Sequence, residues 1–184
     1  MITEMVQYMS DKPNISAEEA EGLLAGIFMD TKGFSFKTGV RTFEAASFLK
    51  SIGADTMKVK KMFTDNLEDY LLIADTIKSA KVDEEKMCAI AICPHEVNSV
   101  IIAKSADELL NISGISVSFV LGVIDNAVYI SGRSVGDINV QVVLEALGGG
   151  GHMNIAGTKL TEVSLEEAVV ELQDKIEKYL KVGE

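Results

Sequence analysis

The hydrophobic period of this chain changes after Asp83-Glu84-Glu85, and that change limits the folds open to it. Up to about residue 81 apolar residues recur at helical spacing; beyond it, short continuous or alternating runs stand between helical stretches. Met87 to Cys93 reads as a buried strand. Ser116 to Val123 alternates, with Val117, Phe119, Leu121 and Val123 on one face. Ala127 to Ser131 returns after the Asp125-Asn126 turn, which predicts a hairpin. A helix is expected from Val97 to Leu110, broken by Asn111 and Gly114, and a second from near Asp137 to Leu147. Ala156 to Leu160 is a further short strand. Ser164 and Glu167 form a capping box ahead of a last stripe of Leu165, Leu172, Ile176 and Leu180. From Met87 onward this is a compact α/β unit of about 100 residues, an ordinary domain size.

The N-terminal part reads as helices. Ile2, Met5, Val6 and Met9 share one face, with nothing before them to cap a helix. Ser16 and Glu19 form a capping box ahead of Leu23, Leu24, Ile27 and Phe28. Thr42 is placed to cap a helix carrying Phe43, Ala46 and Leu49 and ended by Gly53. Asp55 and Asp65 begin two more, the second with Glu68 in the capping-box position. Asn66 to Lys81 reads as a connector that packs.

Composition excludes several classes. With 184 residues, 47% hydrophobic and 24% charged, the chain reads as an ordinary globular protein. No apolar run approaches the roughly 20 residues that span a bilayer, and no signal-peptide layout opens the chain, so a cytoplasmic protein is expected. The net charge of −11 argues against a broad surface for long nucleic acid, whose binding rests on Lys and Arg. A small anion in a local pocket is compatible. Cys88 and Cys93 would point to opposite faces of a strand, as reduced core thiols.

Residues 131–157 carry the chemistry. Gly148-Gly149-Gly150-Gly151 follows a helix. One glycine suffices to end that helix, and the other three call for a ligand close to bare backbone amides, because glycine loses the most backbone entropy on folding. His152 can stack on a base or donate to a phosphate. Arg133 offers a planar fork for phosphate oxygens, Ser134 a further donor, and Asn139 a contact to a base edge. No P-loop or dinucleotide fingerprint is present. Asp30 stands directly after an apolar helical face, an unusual place for a carboxylate; its residues alone read as a loop aspartate beside Gly33.

Ser131-Gly132-Arg133-Ser134, Asn139-Val140, Leu147 to His152 and Ala156 together resemble the C-terminal substrate-binding domain of DHH-superfamily phosphoesterases. The stretch from Leu23 to Asp55 resembles the end of their catalytic domain. The combination looks most like the membrane-anchored cyclic-di-AMP phosphodiesterases of Gram-positive bacteria. The resemblance implies the C-terminal part of the catalytic domain at 1–65, a helical linker at 66–84 and the DHH-associated substrate-binding domain, an α/β unit with a small mixed sheet, at 85–184. It implies that Asp30 is a ligand of a two-manganese site. It assigns substrate recognition to Arg133, Ser134, Asn139, Gly148, Gly149, Gly150, Gly151 and His152. A cyclic dinucleotide or short oligonucleotide is the implied partner, and a homodimer is compatible. His95 and His152 are the only histidines and there is no Asp-His-His, so the chain is expected to be a piece of a longer enzyme, inactive alone. Alternatives are an oligoribonuclease or nucleotide phosphatase of the same superfamily, or a non-catalytic nucleotide-binding module.

Overall fold

The computed structural model describes residues 1–9, 14–36 and 38–179; Lys37 and Leu180 lie outside the described residues. The chain divides into two compact units, Met1–Asp65 and Asn66–Glu184.

Among its described residues the first unit holds four helices: α1 (Ile2–Met9), α2 (Ala17–Asp30), α3 (Val40–Ile52) and α4 (Thr56–Lys61). Ala20, Leu24, Leu49, Ala54 and Val59 form its buried centre. The capping box at Ser16 is present, with Ser16 and Glu19 each closing on the other's backbone N–H. Glu21 is buried, but it receives Lys58 at 3.2 Å and the Asp55 N–H at 3.3 Å, which offsets its desolvation. Two expectations shift. The α3 helix starts at Val40 with Gly39 in the cap position, and Thr42 sits inside the first turn, its Oγ1 accepting from Gly39 N–H. In α1 the buried residue is Thr3, while Ile2, Met5 and Met9 are exposed, because the helix meets α3 on its Thr3 side, where Glu4 pairs with Arg41 at 2.6 Å.

The second unit is a six-stranded mixed sheet with helices on both faces. In chain order it contains α5 (Leu67–Lys78), β1 (Lys81–Asp83), β2 (Cys88–Ile92), α6 (Ser99–Leu109), β3 (Val117–Ile124), β4 (Ala127–Ser134), α7 (Val140–Glu145), β5 (Gly150–His152), β6 (Ile155–Leu160) and α8 (Leu165–Tyr179). The strand order is β1-β2-β3-β4-β6-β5; only β2 and β3 run parallel, joined by α6 as the crossover. Asp125 and Asn126 both take positive φ, as a two-residue hairpin turn requires. Asn66, rather than Asp65, caps α5, because its side chain accepts from Asp69 N–H.

Alternation along the strands sorts the core. Val117, Phe119, Leu121, Val128 and Ile130 pack beneath α7 and α8, meeting Val143, Leu144, Leu172 and Ile176. On the opposite face Ala89, Ala91 and Val120 pack beneath α5 and α6, meeting Ile73, Ile101, Ile102 and Leu109. Cys88 belongs to the first layer and Cys93 to the second, both as free thiols. Burial pushes the Cys88 thiol up to about 12. Helix α7 begins at Val140, later than the position near Asp137 expected from pattern. Gly136 takes a left-handed φ, and Ser134 Oγ holds the Ile138 carbonyl at 2.6 Å, so 135–138 turns before the helix can start.

Candidate functional site

The glycine run is a helix cap and an edge strand, not a loop. Gly148, at φ +77, ends α7; its N–H bonds the Glu145 carbonyl at 3.0 Å, and Gly149 N–H bonds the Leu144 carbonyl at 2.8 Å. Those two amides are committed to the helix end and are not available as an anion nest. Gly149 and Gly151 lie so close to β6 that a Cβ would collide with the carbonyls of Gly157 and Ile155. Close approach of the chain's own backbone therefore accounts for glycines that the sequence alone led us to assign to a ligand. Gly150 is different. Nothing lies within 4 Å of a Cβ built there, and its φ is not left-handed. Gly157, its partner directly across in β6, would meet only the Ile130 carbonyl, at an ordinary 3.5 Å.

Strand register arranges the remaining residues, since directly paired residues share a face. On the α6 side of the sheet, Ser118, Arg133, Ile155 and His152 form one row across β3, β4, β6 and β5. Val120, Ser131, Gly157 and Gly150 form the next, and Gly122, Tyr129 and Lys159 the third. Helix α6 covers the β3 end of each row. Toward β6 and β5 the face is open: His152, Ile155, Gly157 and Lys159 are exposed. The result is a floor of bare backbone at Gly150 and Gly157, with Arg133 and His152 along one border, about 10 Å apart across two strand spacings. Lys159 stands on the other border, its Nζ 5.4 Å from the centre of the Tyr129 ring.

Arg133 is pre-positioned. Its side chain is 11% exposed; Nε donates to Asp107 Oδ2 at 3.2 Å, and Nη1 donates to Ser131 Oγ at 2.8 Å and to the Gly132 carbonyl at 3.0 Å. Nη2 has no partner among the described residues. A guanidinium held on one edge loses little freedom when its other edge meets an anion. The Ser134 hydroxyl and the Asn139 side-chain oxygen are engaged within the fold. The Ser134 hydroxyl donates to Ile138 and accepts from Asn154 Nδ2, and Asn139 Oδ1 accepts from Gln141 N–H as the cap of α7. Asn154, which the sequence did not single out, also donates to the Gly136 carbonyl at 2.9 Å, so one side chain ties the β5–β6 turn to the loop after β4. Nothing local marked Asp107 or Asn154; each acts on a residue at least 18 positions away.

In the first unit Asp30 ends α2 and is exposed. It lines a cavity of about 540 Å³ with Glu4, Thr31, Arg41 and Thr42. Hydrogen bonding to Arg41 holds the Glu4 carboxyl below its usual range. Among the described residues no three His, Cys, Asp or Glu side chains stand together as a metal site, so this set does not complete one.

On this open part of the sheet face, Arg133 and Lys159 stand on opposite borders of a floor of bare glycine backbone. Residues 85–182 match the DHHA1 domain, and the chain belongs to that family. It is 42% identical, over its whole length, to the cyclic-di-AMP phosphodiesterase GdpP of Geobacillus thermodenitrificans and 38% identical to that of Bacillus subtilis. It is 39% identical, over 98% of its length, to the cyclic-di-AMP phosphodiesterase PdeA of Listeria monocytogenes. The chain spans 28% of the length of each of these curated relatives. Among solved structures, an exopolyphosphatase-related protein from Bacteroides fragilis superposes with a TM-score of 0.81 at 25% identity, over 90% of this chain and 51% of that one. No helix among the described residues is long and apolar enough to cross a membrane.

Proposed function

We propose that this chain is the substrate-holding part of a phosphodiesterase that opens cyclic-di-AMP to the linear dinucleotide. The row Arg133–Ile155–His152 beside the bare floor of Gly150 and Gly157 carries the reading, supported by cyclic-di-AMP phosphodiesterase relatives that match 98–100% of the chain. The guanidinium edge of Arg133 takes a phosphate oxygen as a charge-assisted pair. His152, exposed at the end of the same row, donates to a second oxygen or stacks on a ring. Held in this way, the non-reacting end of the ligand positions the scissile phosphate, so remote binding energy serves the reaction. Asp30 is proposed as one ligand of a manganese site in the longer protein. A metal pair supplies an activated water and stabilises the attacking and leaving oxygens. We assign no further ligand to this chain.

Calorimetric titration of the chain with cyclic-di-AMP and the linear dinucleotide tests the reading. Arg133→Ala is expected to weaken binding by about tenfold or more, from the loss of one charged pair. Unchanged affinity in both Arg133→Ala and His152→Ala would end the assignment. A second reading, a module that binds nucleotide without catalysis, draws on the incomplete metal-ligand set around Asp30. Manganese-dependent turnover by this polypeptide would remove it.

A further inference from the structure

The opposite face of the same sheet carries a second cavity, on the α8 side and away from the Arg133 row. Ile90 and Ile92 of β2 stand there in the rows of Phe119 and Leu121 on β3. The two β3 residues are fully buried, yet the two isoleucines beside them are only half-buried. Helix α8 lies over β3 and leaves the β2–β1 margin of this face uncovered. A cavity of about 360 Å³ occupies that margin, within the roughly 300–1,000 Å³ usual for small-molecule pockets. Ile90 and Ile92 form its floor, and Val169, Gln173 and Ile176 its α8 wall.

The two walls are fastened to each other. Lys86, in the turn between β1 and β2, donates to Asp83 Oδ2 at 2.9 Å and to Glu177 Oε1 on α8 at 2.6 Å. One ammonium therefore ties the strand pair to the helix and engages both carboxylates of the lining. A cavity held in shape this way needs little ordering when a ligand enters. Two polar side chains of the lining have no partner among the described residues, Lys81 and Gln173. Lys81 pairs directly with Ile90 across β1 and β2, so it shares the face of the floor. The lining holds no aromatic side chain. An unpaired ammonium and an unpaired amide beside an aliphatic floor suit a carboxylate carried on an aliphatic body.

We propose that this cavity is a binding site for an aliphatic carboxylate: the chain lies on Ile90 and Ile92 between β1 and α8, and the acid group meets Lys81 and Gln173. The site stands apart from the phosphate row and does not depend on it. Calorimetry of the whole chain with decanoate and with decylamine tests both charge and fit. Decanoate is expected to bind one equivalent per chain, about threefold or more tightly than the amine, and Lys81→Gln is expected to abolish that preference. Val169→Phe, which fills the cavity from α8, is expected to weaken decanoate about tenfold or more through the lost apolar contact. Gln173→Trp, at an exposed position on the same helix, is expected to do the same without disturbing the buried layer. Arg133→Ala is expected to leave decanoate binding unchanged. Absence of saturable decanoate binding, an amine bound as tightly as the acid, or an affinity that survives both filling variants overturns the site. So does a loss of decanoate binding in Arg133→Ala, which would put the acid on the phosphate row and leave the reading of that row standing.

Discussion

The two halves of one sheet face use glycine for opposite purposes. At Gly122, in the half covered by α6, a Cβ would stand 2.7 Å from Ile102 Cδ1 and 3.1 Å from Val97 Cγ2. The residue is small because a helix presses on it. At Gly157, in the half without a helix, a Cβ would touch only one carbonyl, and the residue is small although nothing in the fold presses on it. The same residue type on the same face thus marks packing in one place and a vacancy in the other. Within the run 148–151 the distinction repeats: Gly149 and Gly151 are packed against β6, while Gly150 faces open space.

The largest effect that would break this comparison is at the paired glycines. Gly122→Ala is expected to destabilise the fold by about 1–3 kcal/mol through overpacking, while Gly157→Ala is expected to stay within about 0.5 kcal/mol of the original. Denaturant unfolding of the two variants checks this, and equal losses would erase the contrast. Next in size is Asp107→Asn, which loosens the guanidinium of Arg133 and leaves the core untouched. Nucleotide affinity is expected to fall about tenfold, near 1.4 kcal/mol, with the melting temperature nearly unchanged. Recovery of the affinity in Asp107→Glu would sharpen the positioning role; a large fall in melting temperature would make Asp107 a structural residue instead.

The smallest effect concerns α8, beneath the covered face. Hydrogen bonds from Ser164 hold the Glu167 carboxyl below its ordinary 4.5. A group depressed in the folded state adds stability above the unfolded value and loses it as pH falls through the folded one. Glu167→Gln should therefore flatten the decline in stability below pH 4.5 and leave ligand binding at neutral pH unaltered. A decline just as steep in the variant would show that this cap contributes nothing to acid sensitivity.

Much of the fold was legible because its signals are local. The Ser16 and Ser164 caps, the Asp125-Asn126 hairpin and the alternation through β3 each depend on residues within a few positions of one another. Some errors were local too, where two short-range signals competed, and others came from longer relations. Thr42 looked like a cap, but Gly39 takes that place; Asp137 looked like a helix start, but the Ser134–Ile138 bond delays it. Arg133 was recognisable as a candidate from its neighbours, whereas its partner Asp107 lies on another element, 26 residues away. Ser134 and Asn139 carried the right chemistry for ligand contact, yet the Ser134 hydroxyl closes the turn and the Asn139 side-chain oxygen caps the helix.

By itself, the sequence determined the succession of elements, the α/β character of the second unit and the residues that place it in the DHHA1 family. Periodicity and capping act along the chain, and a chain can be read in that direction. Only the tertiary structure decided which glycines the fold requires and which it leaves bare. That depends on how near another strand or helix comes, through the pairing of β4 with β6 and of β6 with β5. A one-residue slip in either register would turn Arg133 or His152 to the opposite face. The site therefore belongs to the register of the sheet as much as to the residues that stand in it.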